Sequence, residues 1–341
     1  TTGQPKGVMI EHRNAVAFLA WAHRVYTREH LAVVLAATSM CFDLSVFEMF
    51  APLTCGGTCL LVDHILALQE PESCVQGVTL VNTVPSAIMQ LLEHGPLPPS
   101  VRVVNLAGEA LLGHVVERVH AQPGIEAVYN LYGPSEDTTY STVSRCVRES
   151  GAVPDIGVPT RGCEVRIVDR QGLPVPQGVA GELWIGGTGL SRGYWNRPEL
   201  TAEKFVDGAS LGLPVARMYR TGDLVRWNEK GRLEFIGRID QQVKLNGFRI
   251  ELGEIETALS ASGEVRSSGV LKIDEAGPQR LVAFVEYLAD GEDAPAERER
   301  RAKAHLRECL PGFMLPQEWI AVEAMPLSAN GKIDRKALRA R

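Results

Sequence analysis

Between residues 31 and 132 the chain repeats one device: a short, nearly continuous apolar run that stops at a glycine or a polar loop and gives way to a helix-like stretch. The runs are Leu31 to Ala37, Gly57 to Val62, Val78 to Val84, Val101 to Ala107 and Ala127 to Tyr132. Strands this uniformly apolar need cover on both faces, so the rhythm predicts a layered α/β core around a largely buried sheet. The loops that end such strands are where open α/β sheets bind ligands. From about 150 to 239 the texture changes to short alternating strands punctuated by Gly and Pro, as at Glu164 to Val168, Glu182 to Ile185 and Arg232 to Ile236, which predicts a small β-rich, barrel-like subdomain. Beyond Asp240, Leu252, Ile255 and Leu259 recur at helical spacing in an acidic segment from Glu251 to Ser260. Strand-like runs at Gly269 to Lys272 and Leu281 to Tyr287 follow, then a charged helix from about Pro295 to Cys309, together a small α+β domain. The expected organisation is therefore a core over 1–239 and a smaller unit over 241–341, with the boundary at Gly237 to Asp240.

Composition narrows the function classes. A net charge of −6 with no cluster of Lys and Arg argues against a nucleic-acid partner, whose phosphates demand such a face. No apolar stretch is long enough to span a bilayer and no signal segment opens the chain, so a cytoplasmic protein without a membrane role is the expectation. Seven scattered cysteines, with only Cys55 and Cys59 close together, lack a zinc pattern and read as reduced, mostly buried thiols. The eight histidines fall singly.

The chain opens Thr1-Thr2-Gly3-Gln4-Pro5-Lys6-Gly7-Val8, with hydroxyls, pliable backbone and one ammonium that could wrap phosphate oxygens, although the Walker ending Gly-Lys-Ser/Thr is missing. Taken alone, the same residues suit a plain surface turn. Further stretches follow in a fixed order: Phe42 to Ser45, Asn130-Leu131-Tyr132-Gly133-Pro134-Ser135-Glu136, Gly181 to Tyr194, Tyr219 to Leu224, Gly237 to Glu256 and Asn330 to Lys336. Together with the opening loop they resemble the successive core motifs of the adenylation domains of non-ribosomal peptide synthetases, within the adenylate-forming superfamily. The resemblance runs from residue 1 to 341. It implies that fold, ATP and Mg²⁺ as cofactors, and a two-step reaction. A carboxylate first attacks the α-phosphate of ATP to give an acyl adenylate and pyrophosphate, and the acyl group then passes to a phosphopantetheine thiol. The residue types agree with that chemistry: two anions must be brought together, and the motifs supply cations, a carboxylate and amide donors rather than a Ser-His-Asp set.

By resemblance, Thr1, Thr2, Gly3 and Lys6 form a loop over the β and γ phosphates, with Gly133 and Ser135 also at the nucleotide. Glu136 holds the metal. Tyr132 stacks on adenine, Asn130 bonds its amino edge, and Gly108, Glu109 and Ala110 line the other side of the slot. Asp223 accepts the ribose hydroxyls with Arg238 close by. Lys332 bridges the substrate carboxylate and the α-phosphate, a role that contributes on the order of 10²–10³ in rate in a water-poor site. Asp240 matches the family's hinge, about which the lid turns so that Gln241 to Arg249 line a tunnel for the thiol. Outside their motifs, Tyr132 would suit a core aromatic, Asp223 a turn, Glu136 a helix start and Lys332 the surface.

Asp43 matches the aspartate that pairs with a substrate ammonium, which favours an α-amino acid, since a buried carboxylate needs a cationic partner. The remaining pocket positions are Leu44, Phe47, Asn82, Asn105, Ala107, Leu131, Thr139 and Tyr140, with Lys332 at the end. Bulky apolar groups among them leave a small cavity, and the string resembles pockets assigned to L-alanine, with glycine, serine and cysteine as close competitors. The implied partners are a peptidyl carrier domain, a neighbouring condensation domain and, as a candidate, an MbtH-like activator. An acyl- or aryl-CoA synthetase is the competing enzyme, disfavoured by Asp43 and the Asn330 to Lys336 ending. A non-catalytic fragment that docks carrier or accessory proteins is the competing binder. Adenylation domains also carry core strands ahead of the opening loop, so a longer parent polypeptide is expected.

Overall fold

The computed structural model describes residues 6–70, 75, 77–148, 153–208, 217–239, 242–274, 279–288, 295–326 and 333–340. Of the residues singled out above, Thr1, Thr2, Gly3, Asp240 and Lys332 lie outside them. The chain divides into two compact units, Lys6–Asp240 and Gln241–Arg341.

The larger unit is built on a seven-stranded sheet. Its parallel strands are β1 (Val33–Ala36), β2 (Thr58–Leu61), β3 (Leu80–Thr83), β4 (Val103–Ala107) and β5 (Ala127–Tyr132), joined in the order β2-β1-β3-β4-β5. Two antiparallel strands, β6 (Thr142–Cys146) and β7 (Val158–Pro159), close the far side. Alternation along the central strands explains their apolar runs. Val81, Val104 and Val128 face one core with Ile88 and Leu91 of helix α3 (Pro85–His94) and Val115, Val116 and Val119 of α4 (Gly113–His120). Leu80, Val103, Ala127, Tyr129 and Leu131 face the other with Phe18 and Trp21 of α1 (His12–Val25) and Leu44, Phe47 and Ala51 of α2 (Leu44–Leu53). Because the side-chain period is two, Asn82, Asn105 and Ala107 fall on the α1/α2 face and Asn130 on the opposite one.

The β-rich part is an antiparallel sheet ordered β10-β11-β9-β8, with β12 also on β11. Its strands are β8 (Cys163–Val168), β9 (Gly181–Gly187), β10 (Phe205–Asp207), β11 (Arg217–Trp227) and β12 (Leu233–Arg238), with α5 (Pro198–Lys204) leading into β10. Val165, Ile167, Leu183, Ile185, Val225 and Leu233 enclose a core that Tyr132 enters from β5.

The smaller unit opens with a hairpin of β13 (Gln242–Leu245) and β14 (Phe248–Glu251), whose Asn246-Gly247 turn has both φ angles positive, as tight hairpins require. Helix α6 (Leu252–Ala261) turns Leu252, Ile255 and Leu259 onto a three-stranded sheet of β15 (Val265–Ile273), β16 (Arg280–Tyr287) and β17 (Glu318–Ala321). Helix α7 (Pro295–Cys309) adds Ala302 and Leu306 to that core, and α8 (Arg335–Arg339) buries Leu338 on the other face. Asp334 caps α8 by accepting from the N–H groups of Lys336 and Ala337.

The six described cysteines are free, but only Cys146 is buried, which corrects the expectation of mostly buried thiols. Cys41 lies in the loop before α2 and Cys309 on the solvent side at the end of α7, and both are exposed. No helix among the described residues is long and apolar enough to cross a membrane.

Candidate active site

Strand β5 ends in a turn that returns at once to β6, and this short stretch touches three distant parts of the larger unit. Gly133 is required there: a Cβ would stand 2.5 Å from the Thr139 carbonyl oxygen and 2.7 Å from the Ser141 nitrogen. Thr138 and Thr139 hold positive φ angles of 55° and 74°, unfavourable for β-branched residues. Their hydroxyls offset that strain by donating to Gly189 O at 2.7 Å and to Asp43 O at 3.0 Å. The second bond fixes the turn to the start of α2, where Asp43 precedes the first helical residue.

At the base of the turn the Tyr132 hydroxyl donates to Oδ2 of Asp223, and Arg238 donates to Oδ1 at 2.5 Å. Asp223 is only 3 % exposed. A carboxylate has about four acceptor positions, so a paired and oriented Asp223 can still receive further hydroxyl donors. Asn130, on the other side of the strand from the α1/α2 core, donates its amide N–H to Asp155 O at 2.8 Å, which turns Oδ1 away as an acceptor. Gly108 adopts φ 82° after β4, and the Glu109 carboxylate accepts from Ser86 N and Ser86 Oγ at 2.9 Å each. Ala110 is exposed.

Ser135 begins a single 3-10 turn, Ser135–Asp137, and Glu136 within it is 2 % exposed. The Tyr194 hydroxyl donates to Glu136 Oε1 at 2.5 Å and reaches Tyr219 Oη at 3.4 Å. Lys6 Nζ stands 5.7 Å from the centre of the Tyr194 ring. Burial, followed by the Glu136 charge and Tyr219, pushes the Tyr194 phenol far above the usual tyrosine range, so it remains a donor. The backbone completes the connection: Val8 pairs with Tyr194, Met9 N donates to Gly193 O and Trp195 N donates to Gly7 O. Tyr194 thus joins the exit of the opening loop to the carboxylate, and it was not among the expected site residues, although it ends the motif Gly181 to Tyr194.

Among the described residues no group of three or more His, Cys, Asp or Glu could hold a metal by itself. A single buried carboxylate fits magnesium, which takes one or two protein carboxylates and fills its shell with substrate phosphates and water.

Leu44, Phe47, Ala107, Leu131 and Tyr140 of the expected pocket join the α1/α2 core, and Asn82 and Asn105 share that face of the sheet. Asn82 and Asn105 are register partners on β3 and β4, and Ala107 pairs with Leu131 across β4 and β5. Tyr140 packs against Phe18, Trp21 and Phe47 with ring centroids 5.7, 6.2 and 6.0 Å away. Its hydroxyl donates to Asn82 Oδ1 at 2.6 Å. Burial, then Tyr26, Glu48 and last Asp43, raise the Tyr140 phenol well above its usual range. Tyr26 donates to Asn105 Oδ1 at 3.0 Å, and Asn105 Nδ2, on a residue 0 % exposed, finds no partner among the described residues. Neither Tyr26 nor the buried Glu48 was anticipated. The sequence signal for Glu48 was slight: an acid in the apolar run Val46 to Phe50.

A family model described as AMP-binding enzyme matches residues 1–195, and one described as AMP-binding enzyme C-terminal domain matches residues 254–332. A component of the linear gramicidin synthase of Brevibacillus parabrevis is 47% identical over 340 residues, 99% of this chain and 6% of that protein. The AMB antimetabolite synthetase AmbB of Pseudomonas aeruginosa is 48% identical over 342 residues, 99% of this chain and 26% of that protein. The Vibrio cholerae adenylation domain AlmE, solved in complex with glycyl-adenosine-5'-phosphate, superposes with a TM-score of 0.84 at 29% identity, covering 99% of this chain and 64% of its own. The chain therefore spans a small part of the synthetases it matches, and it belongs to the family of AMP-binding enzymes.

Proposed function

We propose that this chain activates a small amino acid, L-alanine before glycine, serine or cysteine, as its adenylate and then passes the aminoacyl group to the phosphopantetheine thiol of a carrier domain. The observation that carries the reading is the convergence on one turn after β5: Tyr132 bonded to Asp223, Glu136 bonded by Tyr194, and Thr139 bonded to the Asp43 backbone. One nine-residue stretch, 132–140, therefore touches the residues proposed for ribose, metal and amino group.

In the proposed first step an amino-acid carboxylate oxygen bonds to the α-phosphorus while the bond to the pyrophosphate oxygen breaks. Asp43 anchors the substrate ammonium, Lys6 and Lys332 offset phosphate and carboxylate charge, and Asp223 with Arg238 holds the ribose. Magnesium at Glu136 would neutralise charge on the phosphates. In the second step the lid turns at Asp240 and a carrier thiol takes the acyl group, releasing AMP. The bulk of Phe47, Leu131 and Tyr140 supports a small side chain, and a glycyl adenylate bound to the related AlmE agrees with that size class. Amino-acid-dependent ATP–pyrophosphate exchange tests the reading. Alanine should give the fastest exchange, and a preference for a charged or aromatic amino acid would overturn the pocket assignment.

A further inference from the structure

We propose that Glu48 is a positioning residue that fixes the Asn82 amide and, through it, the direction of the Tyr140 hydroxyl, and so helps decide which small side chains the amino-acid pocket takes. The proposal rests on the pocket reading just given. Glu48 follows Phe47 on α2, is 0 % exposed, and points its carboxylate at the end of β1 and at β3. Thr38 donates to it twice, from the backbone N–H to Oε2 at 3.0 Å and from the hydroxyl to Oε1 at 2.5 Å. Asn82 donates Nδ2–H to Oε1 at 3.1 Å, and its Oδ1 accepts from Tyr140 at 2.6 Å.

The direction of each bond follows from what each group can do. An ionised carboxylate only accepts, so Asn82 must turn its NH₂ to Glu48; the reverse orientation would set a carbonyl oxygen against a carboxylate oxygen. The amide oxygen is then committed to the Tyr140 side, and the phenol proton is committed to the amide. Tyr140 therefore offers lone pairs, not a proton, to its surroundings. Burial raises the Glu48 carboxyl above its usual range, and the Thr38 and Asn82 bonds oppose that rise. A purely structural buried acid would need the Thr38 bonds but no chain of bonds to a pocket side chain.

Glu48→Gln tests this, because the amide keeps its oxygen for the Thr38 N–H and turns its NH₂ to Asn82, which lets Asn82 turn over and frees the Tyr140 proton. In the intact protein, kcat/KM for alanine and for serine is measured by pyrophosphate exchange, with the KM for ATP as a control. The expected result is a change of at least about fivefold in the alanine-to-serine ratio, carried by the amino-acid KM, with the ATP KM unchanged. A ratio within about twofold of wild type, even with both activities reduced together, would overturn the proposal, since a structural lesion lowers both alike. If Glu48→Gln does not fold, Thr38→Val removes one donor outside the pocket and should move the ratio in the same direction; no movement overturns it equally. The wild-type panel keeps the two readings apart. If the wild type prefers another amino acid, the substrate assignment fails and the Glu48 ratio is read between that amino acid and its nearest isostere. A wild type inactive with every amino acid defeats both.

Discussion

The Tyr194 hydroxyl donates a 2.5 Å hydrogen bond to Glu136, joining residues 58 positions apart in the chain. The same ring stands 5.7 Å from the Lys6 ammonium. One side chain thus fixes the proposed metal carboxylate with its hydroxyl and meets Lys6, the lysine proposed for the phosphates, with its face.

Removing only that hydroxyl, in Tyr194→Phe, keeps the ring packed on Phe205 but takes one hydrogen-bond donor from the buried Glu136 carboxylate. A hydrogen bond to a charged group contributes about 1.5–3 kcal/mol, so exchange should fall roughly tenfold to a hundredfold. Titration with Mg²⁺ should show a higher half-saturating concentration while the amino-acid KM holds. An unchanged metal titration would remove Tyr194 from the site.

Tyr132→Phe separates the nucleotide end from the amino-acid end. It takes one donor from Asp223 and leaves the Arg238 bond in place. The ATP KM should rise by roughly fivefold to tenfold with the amino-acid KM unchanged, as read by titrating each substrate in turn. Equal changes in both would argue against a ribose role for Asp223.

Asp137 predicts a pH dependence of stability. Burial, against weaker opposition from the Ser141 and Cys163 bonds, raises its carboxyl to about 7. Its Oδ1 has no partner among the described residues. The folded state therefore holds a proton that the unfolded chain releases near its ordinary value of 3.8. Stability falls as pH rises from about 4 to about 7 and then levels, a change on the order of a few kcal/mol. Urea unfolding between pH 5 and pH 8 should show that decline, and Asp137→Asn should flatten it. A wild-type curve that rises over this interval would contradict the assignment.

Lys332→Ala should leave ATP binding largely intact and lower adenylate formation by on the order of 10²–10³, if the lysine bridges carboxylate and α-phosphate. Normal exchange by the variant would exclude that bridge.

Much of this was legible in the chain because the informative residues are contiguous. The apolar runs located β1 to β5 to within about two residues, and the Asn130 to Glu136 run marked the turn on which the proposed site residues converge. What the sequence concealed depends on pairings between distant segments. Tyr194 sits inside a recognisable motif, but nothing local says that its hydroxyl meets Glu136. Glu48 looks like an interruption of an apolar helix face until Thr38 and Asn82 are seen to surround it. Strand β17 is four residues long and pairs in parallel with β16, so it lacks both the length and the hairpin turn that would announce it. Cys41 and Cys309 defeated a compositional rule because burial of a thiol is decided by its place on a loop or helix face, not by its residue type.

The central claim is that the amino-acid carboxylate attacks the α-phosphorus of ATP. Alanine labelled with heavy oxygen in its carboxyl group, turned over with ATP and discharged by hydroxylamine, tests it most directly. The claim predicts that one labelled oxygen appears in the AMP released, because the C–O bond and not the P–O bond breaks in the second step. Unlabelled AMP, or label in inorganic phosphate alongside ADP, would contradict it.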